Sequence, residues 1–331
     1  MARFRVVKLG CGAEPDTAYE RSRLEPLGAE VVAARADTDE ATVAALRGAD
    51  GCVSYGPRFT GDIIARLDPS LWFIVHAGTG YDPVDVDAAA AAGIMVANLP
   101  FQCIDEVANS ALAYVLAFNR CLVDADRHVR SGLWERSRFN AIGPIVGETL
   151  GLLGFGNIAR LVARRAQAFD LRVVAYDPYV DPALARESNV ALLNLEDLLR
   201  QSDYVSCHLP HNRHTHHLMN DDRFRLMKPR AIFVNTSRGK CVDEAALVRT
   251  LTEGRIAGAG LDVFEIEPLP TESPLRTLTN VLLAPHLAGT SVASAVKNRQ
   301  HAVDQVVEAL RDGAPSALVN RGVVSRRVAR V

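Results

Sequence analysis

The 331-residue chain has no excess of either charge, no long apolar run and no paired cysteine spacing, and each absence removes a class of function. Lys and Arg total 37 against 39 Asp and Glu, so no broad field draws it to nucleic acid or to a membrane surface. The longest apolar run, 88–97, is too short to span a bilayer, and Gly93 interrupts it. No signal peptide is read at the start, where Lys8 breaks the short apolar stretch after Met1-Ala2-Arg3-Phe4. The six cysteines, Cys11, Cys52, Cys103, Cys121, Cys207 and Cys241, form no C-x-x-C pair. They read as buried or loop thiols in a reducing cytoplasm rather than as disulfides. Internal repeats and low-complexity tracts are missing too.

What remains is a chain that is 48% hydrophobic and long enough for two packed domains. Short β-branched runs alternate with longer amphipathic ones, which predicts a doubly wound α/β protein with parallel sheets. Strands are predicted at 5–9, 31–34, 51–55, 73–77 and 94–98, with helices between them such as 39–47 and 84–92. That is the pattern of a flavodoxin-like first domain. A long helix is predicted over 105–129, bridging the domains. Strands follow at 149–153, 172–176, 204–207, 231–235, 258–261 and 281–283. A last helix, 291–312, is expected to return to the first domain and make it discontinuous.

The strongest single motif is Gly154-Phe155-Gly156-Asn157-Ile158-Ala159, placed between an apolar strand and a helix. Gly154 permits a tight turn, Gly156 lets backbone amides approach a pyrophosphate, and small Ala159 lets the helix sit close to the strand. The helix N-terminus adds unpaired donors and the positive end of its dipole. After the next strand comes Asp177, where a carboxylate can accept from an adenosine ribose and repel a 2′-phosphate, so NAD is preferred over NADP. The plain alternative is a glycine turn without a ligand.

Three ionisable residues follow later strands: Arg238 in Asn235-Thr236-Ser237-Arg238-Gly239, Glu267 before Pro268, and His286 after Pro285. Loops at the carboxyl ends of parallel strands surround the ligand crevice of such sheets. A guanidinium can clamp a carboxylate through two parallel hydrogen bonds and polarise an adjoining carbonyl. An imidazole can give or take the proton when hydride reaches or leaves that carbon, and a carboxylate can orient the ring. Taken singly, each has an ordinary reading as a capping, loop or solvated side chain.

The ordered set of motifs resembles the D-isomer-specific 2-hydroxyacid dehydrogenase family. It is carried by Gly78-Thr79-Gly80-Tyr81-Asp82, Gly93-Ile94-Met95-Val96-Ala97-Asn98, Gly147-Glu148-Thr149-Leu150-Gly151 with the fingerprint after it, Asn235 to Gly239, Leu261-Asp262-Val263-Phe264 with Glu267-Pro268, and Pro285-His286. The stretch 147–180 and His216-His217-Leu218-Met219-Asn220-Asp221 look most like the branch of D-3-phosphoglycerate dehydrogenases and C-terminal-binding proteins. The resemblance implies an NAD-binding Rossmann domain, 102–289, inserted in a flavodoxin-like substrate domain, 1–101 plus 290–331. The implied activity is hydride transfer between nicotinamide and C2 of a small D-2-hydroxy or 2-oxo acid, in a cytoplasmic homodimer.

It also implies roles. Arg238 would bind the substrate carboxylate, Glu267 would support the histidine, and His286 would be the acid/base. Glu265 is the neighbouring competitor, but Glu267 stands directly before proline as in the family. Backbone at Gly78, Thr79 and Gly80 would hold the substrate. Gly154, Gly156, Asn157 and Ile158 would line the pyrophosphate, and Asp177 the ribose. Cys207, Pro210 and Thr215 would lie along the cofactor, Thr236 and Arg238 near the nicotinamide, Asp262 at its carboxamide, and His286 and Gly289 beside it. Tyr55, Tyr81, Phe101 and Trp134 are candidates for the substrate pocket.

Departures from the family pattern are Asn109, where glutamate is usual, and Lys240 and Cys241 after Arg-Gly. The chain also stops soon after the last helix, which argues against an added regulatory domain. A second reading is a non-enzymatic NAD(H)-sensing scaffold like the C-terminal-binding proteins; a formate-type enzyme is disfavoured by glutamate at 267. The histidines 208, 211, 214, 216 and 217 are read as a polar loop near the adenine end rather than a metal site. The run Arg326-Arg327-Val328-Ala329-Arg330 is read as a frayed, solvated tail.

Overall fold

A computed structural model describes residues 3–10, 16–140, 142–323 and 325; Cys11 and the run from Arg326 to Arg330 lie outside them. Along the chain come β1 (Phe4–Leu9), α1 (Ala18–Leu24), β2 (Ala29–Ala34), α2 (Asp39–Ala45), β3 (Gly51–Ser54), α3 (Gly61–Arg66), β4 (Phe73–His76), α4 (Val86–Ala91) and β5 (Met95–Ala97). Next are α5 (Ile104–Asn119), α6 (Leu122–Arg130), β6 (Thr149–Leu153), α7 (Asn157–Gln167), β7 (Arg172–Tyr176), α8 (Pro182–Glu187), β8 (Ala191–Leu192), α9 (Leu195–Gln201) and β9 (Tyr204–Cys207). The chain continues with α10 (Asp221–Phe224), β10 (Ile232–Asn235), α11 (Glu244–Thr252), β11 (Gly258–Leu261), β12 (Val281–Leu283) and α12 (Val292–Asp312). It forms two compact units, Met1–Cys103 with Ser291–Val331, and Ile104–Thr290.

In the first unit, five parallel strands lie in the order β2-β1-β3-β4-β5, the doubly wound flavodoxin-like order. β3 and β4 are buried along their whole length, which is why they read as continuous apolar runs rather than alternating ones. Thr38, Thr60 and Asp85 cap α2, α3 and α4, each accepting from the amide three residues on. The expected returning helix is α12, started by a Ser291/Ser294 capping box and stopped by left-handed Gly313. Its Ala302, Val303, Val306, Ala309 and Leu310 share a core with Phe4, Val6, Val31 and Phe73, one helical stripe on the sheet.

The second unit is a seven-stranded parallel sheet in the order β12-β11-β10-β9-β6-β7-β8. Strand order reverses between β6 and β9, the switch point where ligands bind in open α/β sheets. Two sequence expectations need correcting here. The single helix over 105–129 is two helices, α5 and α6, because Cys121 takes the left-handed conformation, φ 49°, and interrupts the hydrogen-bond ladder. α5 lies wholly within the second unit. β8 was not anticipated, since two residues carry no periodicity.

Candidate active site

The turn after β6 needs its first glycine. Gly154 has φ +88°, and a Cβ there would come within 3.0 Å of the His208 carbonyl oxygen on the chain leaving β9. Gly156 has no neighbour within 4 Å of where its Cβ would be, so the space above it is open. Gly156 caps α7 without a side chain to offer, and the first-turn amides of Asn157 and Ile158 carry no side-chain cap. Asp177, just past β7, accepts from the Phe155 amide through Oδ2 at 2.8 Å and from the amides of Tyr179 and Val180 through Oδ1. It therefore locks the glycine turn to the end of β7. At the end of β10 the Thr236 hydroxyl is buried with no hydrogen-bond partner. An open cradle on a helix N-terminus and an orphaned hydroxyl on the same sheet edge fit a dinucleotide.

Register brings the other candidates together. Asn235 of β10 pairs with Leu261 of β11, and Leu261 pairs with Leu283 of β12. Arg238, Glu267 and His286 thus leave the same ends of three adjacent strands. Gly239 presses on the backbone of the turn that leads to Glu267: a Cβ there would lie 1.9 Å from the Phe264 carbonyl carbon. Glu267 places Oε1 on the Phe264 amide at 3.0 Å and Oε2 on His286 Nδ1 at 2.6 Å. With Nδ1 bound to the carboxylate, Nε2 is the ring atom left for chemistry.

His286 itself has φ 52°, a conformation that costs a non-glycine residue about 1–2 kcal/mol. Asp262 holds it there. Its carbonyl accepts the His286 amide at 2.9 Å, and its two side-chain oxygens accept the amides of Leu287 and Ala288. Each carboxylate oxygen keeps a second lone pair for a further donor. Gly289 lies in the following turn, which Thr290 closes onto the Leu287 carbonyl.

Cys207 ends β9 fully buried and accepts from Ser237 Oγ at 3.2 Å. Pro210 and Thr215 lie in one turn, Thr215 Oγ1 donating to the Pro210 carbonyl at 2.6 Å. The histidine segment packs on itself and on the turn after β11. His208 is half-buried with its Nε2 at 2.9 Å from Ser206 Oγ, and desolvation of the ring pushes its pKa down to about 4. His211 meets His216 at 3.2 Å, His216 stacks on His217, and His217 Nε2 lies 2.7 Å from Glu265 Oε1. Among the described residues, no group of three His, Cys, Asp or Glu side chains is arranged to hold a metal ion.

In the first unit, Gly78, Thr79 and Gly80 follow β4. A Cβ on Gly78 would lie 2.8 Å from His76 Nε2. Asn98 Nδ2 donates to the Thr79 carbonyl at 2.6 Å, and Thr79 Oγ1 donates to the Leu99 carbonyl at 3.0 Å. Asn98 is a supporting residue whose role the sequence reading did not assign, although it lies in a quoted motif. Tyr55, Tyr81 and Phe101 belong to this unit, whereas Trp134 belongs to the other and is 80% exposed.

A dinucleotide cradle and a carboxylate-held imidazole on one sheet edge define a nicotinamide-dependent oxidoreductase. Residues 112–288 match the NAD binding domain of D-isomer specific 2-hydroxyacid dehydrogenases. Glyoxylate reductase of Korarchaeum cryptofilum is 41% identical over 262 residues, covering 78% of this chain and 79% of the relative. D-3-phosphoglycerate dehydrogenase of Mycobacterium bovis is 44% identical over 267 residues, 79% of this chain but 49% of the relative, so the match spans about half of that protein. The solved structure of NADPH-dependent glyoxylate/hydroxypyruvate reductase from Sinorhizobium meliloti, in complex with NADP and malonate, superposes with a TM-score of 0.83 at 31% identity, covering 98% of this chain and 99% of the other. The chain belongs to the D-isomer specific 2-hydroxyacid dehydrogenase family. It is an oxidoreductase that works on 2-hydroxy and 2-oxo acids with NAD or NADP. No helix of the described residues is long and apolar enough to cross a membrane.

Proposed function

We propose that the chain interconverts a small 2-oxo acid and its D-2-hydroxy acid with NAD(H), using His286 as acid/base, Glu267 as its partner and Arg238 as the carboxylate clamp. The observation that carries this reading is the 2.6 Å contact between His286 Nδ1 and Glu267 Oε2, one strand over from the Arg238 loop. The nicotinamide, when bound, supplies or accepts the hydride at C2. Arg238 holds the acid's carboxylate by its fork of N–H donors and polarises the C2 oxygen. In reduction, His286 Nε2 gives its proton to that oxygen; in oxidation it takes the proton back. Glu267 keeps Nδ1 protonated and the ring in one orientation. The backbone of Gly78, Thr79 and Gly80, in the substrate domain 1–101 plus 290–331, adds donors for the acid.

In the cofactor domain, 102–289, Gly154, Gly156, Asn157 and Ile158 take the pyrophosphate. Asp177 takes the ribose, and its charge favours NAD over NADP. Cys207, Pro210, Thr215, Thr236, Asp262, His286 and Gly289 line the rest. A homodimer joined through this domain is supported by the exposed apolar side chains Leu122, Val129, Leu133, Trp134 and Val146. A reducing cytoplasm suits the free thiols at 52, 103, 121, 207 and 241.

The test is NADH oxidation with glyoxylate, pyruvate, hydroxypyruvate and phosphohydroxypyruvate, for the parent and His286→Ala. We expect turnover of at least one acid, and a loss of kcat of about a hundredfold or more in the variant with NADH affinity kept. An unchanged kcat would reject the acid/base role. Failure of the parent on every short 2-oxo acid would reject the activity.

A further inference from the structure

The turn after β11 carries a second carboxylate, Glu265, which the hydride-transfer chemistry leaves unused. It is nevertheless tied down from three directions. Its amide donates to Glu244 Oε2 at 3.1 Å, while its own Oε1 accepts the Glu244 amide at 3.1 Å. The same Oε1 meets His217 Nε2 at 2.7 Å, and the His217 ring is stacked on His216 with centroids 4.0 Å apart. Glu244 is the first residue of α11, directly after the capping Asp243. The reciprocal pair therefore anchors the turn to the start of a helix. On another side the turn meets the Gly239 backbone, with no room for even a methyl group.

Placing Glu244 here costs desolvation: burial pushes its carboxyl above the usual carboxylate range, the hydrogen bond from the Glu265 amide offsets part of that, and the Glu265 charge adds a smaller upward push. A desolvated carboxylate held in a reciprocal pair of hydrogen bonds with this turn points to a geometric task. The geometry available to serve is that of Glu267, two residues on, whose oxygens divide between the Phe264 amide and His286. A shift of the turn by a fraction of an ångström would break a 2.6 Å contact.

We infer that Glu265 is a positioning residue, which locks the 264–267 turn through Glu244 and His217 so that Glu267 meets His286 Nδ1. The inference rests on the acid/base reading above and adds to it a residue that touches no reactant. A structural role alone would lower stability; a positioning role lowers kcat through Glu267.

The experiment is a double-mutant cycle in steady-state NADH oxidation, with Glu265→Ala and Glu265→Gln made in the parent and in Glu267→Gln. We expect Glu265→Ala to lower kcat about tenfold with the KM for NADH within about twofold. Glu265→Gln keeps an oxygen for the Glu244 amide and the His217 ring, and should restore most of the rate. In the Glu267→Gln background, Glu265→Ala should cause little further loss, because its effect runs through the missing carboxylate. Parental kcat in Glu265→Ala, or losses that multiply with Glu267→Gln, would overturn the inference while leaving the acid/base reading intact. Parental kcat in Glu267→Gln itself would overturn both. If alanine at 265 prevents folding, His217→Phe keeps the ring stack but removes the donor, and should give a smaller loss with the same non-additivity; an additive loss there would count against positioning.

Discussion

Gly239→Ala isolates the contact between the Arg238 loop and the Glu267 turn. The added Cβ would lie 1.9 Å from the Phe264 carbonyl carbon, 2.0 Å from its oxygen and 2.5 Å from the Glu265 nitrogen, whereas real Cβ contacts essentially never fall under 3.0 Å. All three atoms are backbone, so no side chain can swing aside. The two loops must part by at least about 1.1 Å, and a misplacement of that order around reacting groups costs roughly a hundredfold in rate, about 2.7 kcal/mol of barrier. The Gly154–Gly156 turn, proposed above to take the diphosphate, is remote in the chain, so NADH affinity should hold within about threefold. The assay is kcat and KM for a 2-oxo acid at saturating NADH, with NADH binding followed by fluorescence and folding by thermal melting. A folded variant that binds NADH and keeps kcat within about threefold of the parent would refute the reasoning, because it would mean that the separation of these loops does not set the geometry of the reacting groups.

Asp177→Ala should erase the preference for NADH proposed above. Its carboxylate is the charge beside the glycine turn, and hydrogen bonds to a charged group are worth about 1.5–3 kcal/mol, so the NADH-to-NADPH ratio of kcat/KM should fall roughly ten- to hundredfold. An unchanged ratio would remove Asp177 from cofactor choice. The third prediction concerns acid stability. Burial opposes ionisation of Asp203, but the Thr149 amide, Lys228 and Arg230 outweigh it and hold its carboxyl below the ordinary 3.8. A carboxyl with a depressed folded-state pKa stabilises the protein above its unfolded pKa, and that contribution is lost as pH falls through the folded value. Asp203→Asn should therefore cost about 1–2 kcal/mol at neutral pH, a figure reduced because Arg230 is largely exposed and screened. Urea midpoints of parent and variant should converge below about pH 4. A gap that persists unchanged in acid would contradict the assignment.

Much of the site was legible in the chain because its parts are local. The glycine turn reads as a turn since only residues without Cβ suit Gly154, and Asp177 follows the next strand at the distance a βαβ unit sets. The helix break at Cys121 was not legible. Neither glycine nor proline marks it, and a left-handed cysteine is chosen by surroundings rather than by its own preference. The clamp by Asp262 was hidden for a similar reason: its partners are backbone amides 25 and 26 residues away, which carry no residue-type signal. Glu265 was visible as a rival to Glu267, but its bonds to Glu244 and His217 depend on segments that meet only in the folded unit.

Local periodicity and the residue types at strand ends were enough to determine parallel sheets, a dinucleotide turn and a family with an arginine, a glutamate and a histidine in order. Which of two nearby carboxylates faces the imidazole was decided only when β10, β11 and β12 came into register and Gly239 closed on the turn after β11. The physical reason is that hydrogen bonds form between atoms a few ångströms apart in space, and the 19 residues separating Glu267 from His286 set no such distance until the sheet does.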